Sequence, residues 1–448
     1  MDRGGMKGTR RSAKLDASNH RNNLKPLKGR FTLKTQIQRT LFSTWVNVLL
    51  VAASAGITIW ALRIPGPAVF IVNFIAIIPF AAMLSYATEQ ISLYTGEVLG
   101  GLINATLGNI VELIVAIIAL TKNRITVVQT SLVGSILSNL LLVLGFCFFC
   151  GGLNRPEQYF NTTVAQTAAS LQALSVAGLI LPTIFSLSPD FYVNGSITPL
   201  PSHAVPQLSH GVAIILLLVY LTYLFFQLKT HSAVFNEDSK KVTTQNIFKR
   251  RRSVPENAVA SGIASPEINN ADVHGAISQA SGLIQRPSEK REGSEEAQLH
   301  FLVVLGTLII CTGIIALCAE GLVSGIEPTS SVLSEEFIGL VLIPIVGNAT
   351  RWMAIGVAIR SSIQVSLFLI PLLVIIGWGI GNQDMTLAFD IFQVVVLFVA
   401  VLLVNYLISD GKSHWLEGVQ LISLYVIIAV CAFYSPTGLG IVADSSVV

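Results

Sequence analysis

Long apolar segments follow one another along most of the chain and are separated by short polar turns. Runs of about 18 or more apolar residues predict helices that cross a membrane. The pattern predicts eleven spans, at 41–63, 67–90, 98–121, 126–151, 163–187, 209–228, 299–322, 336–359, 361–381, 387–407 and 415–435. We therefore predict an all-α polytopic membrane protein with about eleven transmembrane helices.

Two polar segments interrupt this pattern, and both are basic. Residues 1–40 form a basic tail, and residues 229–298 form a linker that contains the run KRRR. Six predicted crossings separate them, so both lie on one side of the membrane, which the positive-inside rule makes cytosolic. The linker's composition is typical of disorder, with a candidate acidic helix near its end. An odd number of spans places the C-terminal tail, 436–448, on the opposite side.

Composition narrows the class of protein further. Of 448 residues, 52% are hydrophobic and 12% are charged, about half the charged fraction of an average soluble domain. The net charge of +3 comes from clusters in the polar segments, so we predict no nucleic-acid partner. The five cysteines lie in apolar runs, and no disulfide framework is expected. The seven histidines lie in tails, in loops or near span ends, which argues against an intramembrane hydrolase.

The two halves of the chain carry related segments. Residues 106–145, with TLGNIVELIVAIIAL and SLVGSILSNLLLVLG, match residues 345–373, IVGNATRWMAIGVAIRSSIQVSLFLIPLL. The match pairs Asn109 with Asn348, Ser135 with Ser361 and Ser138 with Gln364. Many secondary transporters consist of two such repeats with the ion site where they meet. We predict a leading helix at 41–63, a first repeat at 64–228 and a second at 299–435.

The first repeat carries a candidate cation site. Asn109 and Glu112 are three residues apart and share a helix face. A carboxylate inside a membrane helix costs about 2.5–3.5 kcal/mol, so it persists where it faces a cavity or a partner. Gly108 allows the backbone to approach closely. A structural hydrogen bond between helices is the alternative role for Glu112.

A second polar face lies on the next predicted span, where Ser135, Ser138 and Asn139 recur at helical spacing. Carboxylate, amide and hydroxyl oxygens suit a hard cation such as Ca²⁺, and they do not sharply exclude Mn²⁺. A carboxylate that binds a cation also binds a proton, and the two compete. Glu112 is therefore a candidate for coupling Ca²⁺ release to proton uptake.

Five motifs resemble the cation/proton exchanger family of the Ca²⁺:cation antiporter superfamily, in its fungal vacuolar Ca²⁺/H⁺ exchanger type. They are GNIVELIVAIIALTKN, GSILSNLLLVLGF, FIGLVLIPIVGNA, SSIQVSLFLIPLLVIIGW and NYLISDGKSHWLEG. The resemblance covers residues 41–435 and implies one leading helix plus two inverted five-helix repeats. It also implies exchange of cytosolic Ca²⁺ for protons at the vacuole membrane, by a transporter and not an enzyme. No cofactor is implied, because Ca²⁺ is the transported substrate.

The resemblance also assigns site residues. The predicted cation ligands are Glu112, Asn109, Gly108, Ser135, Ser138, Asn348, Ser361 and Gln364. Glu112 is the predicted proton-coupling group, and Glu89 and Glu320 are candidates for proton or ion access. For those two, a carboxylate at the membrane surface is an equal alternative. Association into homo-oligomers or with homologous exchangers is left open.

The second repeat departs from the family pattern. The family reads Gly-Asn-Ala-Ala-Glu-His there, whereas Arg351 and Trp352 occupy the Glu and His positions of this chain. Asn109 and Ser135 are 26 residues apart, but Asn348 and Ser361 are only 13 apart, so the repeat is shortened near 349–351. An arginine in the site would oppose cation binding by roughly 4 kcal/mol at about 4 Å and an effective dielectric of about 20.

The shortening also affects the expected depth of the ligands. If the spans are 336–359 and 361–381, Ser361 and Gln364 begin a helix at the membrane surface, about 12 Å from mid-span. Three explanations remain open. The coding sequence has lost a segment by mis-splicing; or the chain is a transport-impaired isoform, diverged paralogue or regulatory partner of an intact exchanger; or another carboxylate, such as Glu320, substitutes.

Overall fold

The computed structural model describes residues 33–42, 45–64, 66–153, 155–187, 190–193, 196–199, 201, 203–232, 299–348 and 355–435. Most of the predicted basic tail, the linker from residue 233 to 298 and the C-terminal tail lie outside these described residues. Arg351 and Trp352 also lie outside them, so the predictions that concern those two residues remain predictions.

The first half of the chain forms helices joined by short turns. The helices are α1 (Leu33–Leu41), α2 (Leu50–Ala61), α3 (Pro67–Leu107), α4 (Ile110–Thr121), α5 (Ile125–Gly152), α6 (Thr162–Ser186) and α7 (Ala204–Thr230). A 3₁₀ turn, Trp45–Leu49, precedes α2. A π-helical turn occupies Ser138–Val143 within α5, and another, Phe226–Thr230, ends α7.

The second half of the chain also forms helices. Helix α8 (Phe301–Ser324) is followed by a short helical turn at Ile326–Ser330. The remaining helices are α9 (Glu335–Phe337, π-helical Ile338–Leu342 and Ile343–Asn348), α10 (Ile355–Gln364, π-helical Val365–Leu369 and Ile370–Gly379), α11 (Ile391–Ile408) and α12 (Trp415–Phe433).

Two small antiparallel sheets lie in the connections. Strand β1 (Gln158–Tyr159) pairs with β4 (Lys412–Ser413), and β2 (Asp190–Val193) pairs with β3 (Ser196–Pro199). The first sheet joins the turn after α5 to the turn before α12, and so ties the two halves of the chain together. Several helices begin at side-chain caps, including Asn161 before α6 and Asp390 before α11.

Within the described residues, eight helices are long and apolar enough to cross a membrane, judged by length and composition. The number is nine if Lys34–Leu41 and Val46–Ala61, which are bent by 92°, form one span. The chain is therefore a polytopic all-α membrane protein, as predicted, but the predicted count of eleven spans is not confirmed. The predicted third span, 98–121, is divided between the end of the 41-residue α3 and the 12-residue α4.

The boundary between the predicted eighth and ninth spans is wrong. Helix α9 ends at Asn348, and α10 begins at Ile355, so residues 355–359 belong to the later helix. Hydropathy does not reveal that one helix runs through Arg360, because a charged residue between two apolar runs resembles a span boundary. Helices α5 and α10 are also the most buried spans: 83% and 72% of their most apolar windows lie inside the protein. Polar side chains on them are therefore enclosed by other helices.

Candidate functional site

Glu112 lies at a break in the first repeat. Helix α3 ends at Leu107, Asn109 occupies the cap position, and α4 begins at Ile110 with Glu112 in its first turn. A helix start favours negative charge nearby, because its first backbone N–H groups lack helical partners. Asn109 is fully buried and Glu112 is only 8% exposed. The helix break thus holds a carboxylate inside the protein.

The carboxylate of Glu112 packs against the backbone of the second repeat. A Cβ atom placed on Gly347, near the end of α9, would lie 2.3 Å from Glu112 Oε1. Only glycine leaves room for the carboxylate at this point. Gly347 is not among the predicted site residues, although the match of the two halves pairs it with Gly108, which is. The same alignment could therefore have identified Gly347.

Hydrogen bonds join the first repeat to α10. Ser361 Oγ donates to Asn109 Oδ1 at 2.8 Å, and Asn109 Nδ2 donates to the Ser361 carbonyl at 3.4 Å. Asn139 Nδ2, on α5, donates to Ser361 Oγ at 3.1 Å. Ser361 therefore lies between Asn109 and Asn139, in the interior of the protein.

The reciprocal contacts run from the second repeat to the first. Asn348 Nδ2 donates to Ser138 Oγ at 3.1 Å, and Gln364 Nε2 donates to the Thr106 carbonyl at 3.4 Å. The expectation that Ser361 and Gln364 begin a helix is therefore wrong. Both lie on α10 well after its start at Ile355, and both are 5% exposed. The structure brings together the predicted ligands of both halves.

Several buried oxygens of this cluster are available as ligands. Ser135 Oγ, Asn139 Oδ1 and Asn348 Oδ1 have no hydrogen-bond partner among the described residues. Burying a polar atom without a partner is costly, so such atoms indicate a missing ligand or water. Like the Glu112 carboxylate, they are oxygen atoms of the kind that Ca²⁺ prefers as ligands. In the described part of the chain, no group of three or more His, Cys, Asp or Glu residues could hold a metal.

The two access candidates lie away from this cluster. Glu89 is exposed on α3. Glu320 forms an ion pair with Lys122 at 2.6 Å. Lys122 follows Glu112 by ten residues, which is roughly 15 Å along a helix. This geometry argues against Glu320 as a substitute for the second-repeat glutamate.

The fold and the site together define a class: a polytopic membrane protein whose two halves meet at a buried, oxygen-lined site, as in secondary transporters. The profile of the sodium/calcium exchanger protein family matches residues 65–229 and 351–434. The chain belongs to this family, and the resemblance drawn from its motifs is confirmed.

Named relatives and a solved structure agree with this assignment. The chain is 39% identical to a vacuolar calcium ion transporter of Schizosaccharomyces pombe, over 88% of this chain and 86% of that protein. It is 36% identical to a Ca²⁺/H⁺ antiporter of Synechocystis, over 82% of this chain and 91% of that protein. The structure of native YfkE superposes with a TM-score of 0.62 at 27% identity, covering 86% of this chain and 99% of that chain.

Proposed function

We propose that this chain is an antiporter that carries cytosolic Ca²⁺ into the vacuole in exchange for vacuolar protons, with Mn²⁺ as an alternative cargo. The observation that carries the proposal is the buried Glu112 carboxylate, which packs on Gly347 beside amide and hydroxyl oxygens from both halves. The names of the relatives, a vacuolar calcium ion transporter and a Ca²⁺/H⁺ antiporter, support the same cargo.

The proposed mechanism uses competition at one carboxylate. Ca²⁺ takes six to eight oxygen ligands, and Glu112 with Ser135, Asn139 and Asn348 supplies part of such a set. A proton on Glu112 removes the negative charge that attracts the cation, so protonation expels Ca²⁺ and deprotonation readmits it. The site lies where the two halves meet, so a movement of one half against the other would open it to alternate sides.

The proposed location is the vacuole membrane, with the N-terminal tail and the central linker in the cytosol. Lys and Arg residues in both segments support this orientation through the positive-inside rule. The orientation makes the turn between α5 and α6 cytosolic and the turn between α4 and α5 luminal.

The proposal is tested by ⁴⁵Ca²⁺ uptake into vesicles with an acidic lumen that contain this chain as the sole transporter. Uptake should collapse with an uncoupler, and Glu112→Gln should reduce it more than about tenfold, the equivalent of about 1.4 kcal/mol. Glu157→Gln is the matched control, because Glu157 lies in the turn before β1 and pairs with Lys412, outside the site.

Two outcomes would overturn the proposal. The first is wild-type uptake that Glu112→Gln leaves unchanged. The second is an absence of wild-type uptake when the protein is folded and inserted. If a family-like 13-residue insertion at Ala349 then restored uptake, the shortened second repeat would be the cause.

A further inference from the structure

Lys122, in the turn between α4 and α5, makes three contacts with the end of α8. Its ammonium pairs with the Glu320 carboxylate at 2.6 Å, donates to Ser324 Oγ at 2.8 Å and donates to the Glu320 carbonyl at 3.3 Å. An ammonium has three donors, so each of them has an acceptor on α8. The Lys122 and Glu320 side chains are 30% and 37% exposed, so the ion pair is partly shielded from solvent.

The other two residues of this turn also contact the second half of the chain. Arg124 pairs with Glu327, in the helical turn after α8. Asn123 Oδ1 accepts a hydrogen bond from Asn382 Nδ2, in the connection between α10 and α11, at 2.8 Å. Asn123 has a φ of 57°, a left-handed conformation that asparagine adopts more readily than most residues. All three side chains of the turn therefore join the first half to the second.

Helix α8, which receives most of these contacts, packs directly on α3. A Cβ atom on Gly321 would lie 2.6 Å from Asn73 Nδ2, and a Cβ atom on Gly325 would lie 2.7 Å from the Phe70 nitrogen. These two glycines let the helices approach closely at the level of Glu320. The turn is therefore held by a pair of packed helices and not by a loose helix end.

The turn lies on one side of the cation site, at the shared end of α4 and α5. Glu112 is ten residues before Lys122, and Ser135 is ten residues after Ile125, so each lies about 15 Å from the turn. Ser131 is four residues before Ser135 on the same face of α5 and is 8% exposed. The face of α5 between the turn and the site is therefore not open to solvent.

We propose that the α4–α5 turn is a latch that keeps the cation site closed on the luminal side. The proposed exchange requires one half of the chain to move against the other, and Lys122, Asn123 and Arg124 join the halves at this end. Opening toward the lumen must therefore break these contacts. The inference rests on the proposed function and on its orientation, which makes the turn luminal. It gives Glu320 a role in closure and not in cation binding.

The test measures how fast a thiol between the latch and the site reacts from the lumen. Ser131→Cys supplies the thiol, and a membrane-impermeant cationic methanethiosulfonate enclosed in the vesicles at neutral pH labels it. Lys122→Met removes all three donors and keeps an unbranched side chain. It should make labelling about threefold to tenfold faster, because the lost contacts are partly exposed to solvent. Protein without Ser131→Cys corrects for labelling of the native cysteines.

Lys412→Met is the matched control. It also breaks an ion pair between the halves, with Glu157 at 3.4 Å, but in the sheet at the opposite end of α5. It should leave the labelling rate unchanged. Glu320→Gln should speed labelling as Lys122→Met does, and the two changes together should add little if they act through one contact.

Three results would overturn the inference. They are unchanged labelling in Lys122→Met, an equal increase in Lys412→Met, and faster labelling only by reagent outside the vesicles. Labelling does not require transport, so its result is independent of the uptake assay. Absence of ⁴⁵Ca²⁺ uptake by the wild-type chain would instead refute the proposed function.

Discussion

The Gly-Asn pairs of the two repeats meet in one site but contribute different chemistry. Gly108–Asn109 precedes α4, which brings the Glu112 carboxylate into the protein. Gly347–Asn348 ends α9 and supplies a bare backbone surface against that carboxylate, together with an amide. The negative charge among the described site residues comes from the first repeat alone. The two matching segments thus contribute differently: the first provides charge, and the second provides space and neutral oxygens.

The polar contacts between the repeats are similarly unequal. Asn109 exchanges two hydrogen bonds with Ser361, whereas Asn348 donates one to Ser138. Both contacts exist although the second repeat is 13 residues shorter between its asparagine and its serine. The shorter separation along the sequence therefore does not prevent Ser361 from reaching Asn109, because the helix that carries Ser361 begins before it, at Ile355.

The largest expected loss of ⁴⁵Ca²⁺ uptake comes from filling the space that Gly347 leaves beside the Glu112 carboxylate. In Gly347→Ala, the added methyl group would lie 2.3 Å from Glu112 Oε1 and must displace the carboxylate. Overpacking of this kind costs about 1–3 kcal/mol, so we expect ⁴⁵Ca²⁺ uptake to fall about tenfold or more. Gly313→Ala is the control, because a Cβ atom there has open space around it. Equal uptake by the two variants would contradict the contact between Gly347 and the Glu112 carboxylate.

A smaller effect, on the KM for Ca²⁺, is expected when either asparagine of the two Gly-Asn pairs is replaced. Asn109→Ala should raise the KM for Ca²⁺ more than Asn348→Ala, since it removes two hydrogen bonds to Ser361 and each is worth about 1 kcal/mol. We expect changes of about thirtyfold and about fivefold, measured as initial rates over a range of Ca²⁺ concentrations. A larger effect of Asn348→Ala would show that the second repeat dominates binding and would reverse the comparison.

The smallest effect on uptake is expected outside the site, at the sheet of β1 and β4 that joins the two halves of the chain. The Tyr159 hydroxyl, which donates to Glu157 at 2.7 Å, and the Lys412 ammonium lower the pKa of Glu157. Its contribution to stability is therefore present above the ordinary pKa of 4.5 and is lost as the pH falls through the lowered pKa.

Glu157→Gln should accordingly lower the Tm slightly at about pH 7, and the difference from wild type should be smaller at about pH 4 than at about pH 7. Because this ion pair is exposed, uptake should change by less than about twofold. Thermal unfolding in detergent at both pH values checks the prediction. A Tm difference that grows in acid would contradict the assigned direction of the pKa.

Much of this organisation could be predicted from the sequence. The length of the apolar runs predicted the class of protein. The spacing of Asn109 and Glu112 predicted one helix face, whereas Asn109 lies at the cap position before α4 and only Glu112 lies within it. The continuous helix through Arg360 was not predicted, because a charged residue between two apolar runs resembles a span boundary in a hydropathy pattern. The repeat alignment could have identified Gly347 as the counterpart of Gly108, but its contact with Glu112 depends on how α9 packs against α4, which the alignment does not record.

The π-helical turn at Ser138–Val143 changes the direction in which the side chains of α5 point before and after it. A π turn holds one residue more than the α-helix would, and the extra residue rotates the later part of the helix by about 100° relative to the earlier part. Ser135 and Ser138 can thus face the repeat interface while Gly145 faces α12. Deleting Leu141 would restore a regular helix. The surface of α5 that faces the repeat interface and the surface that faces α12 would then be out of register with their partners.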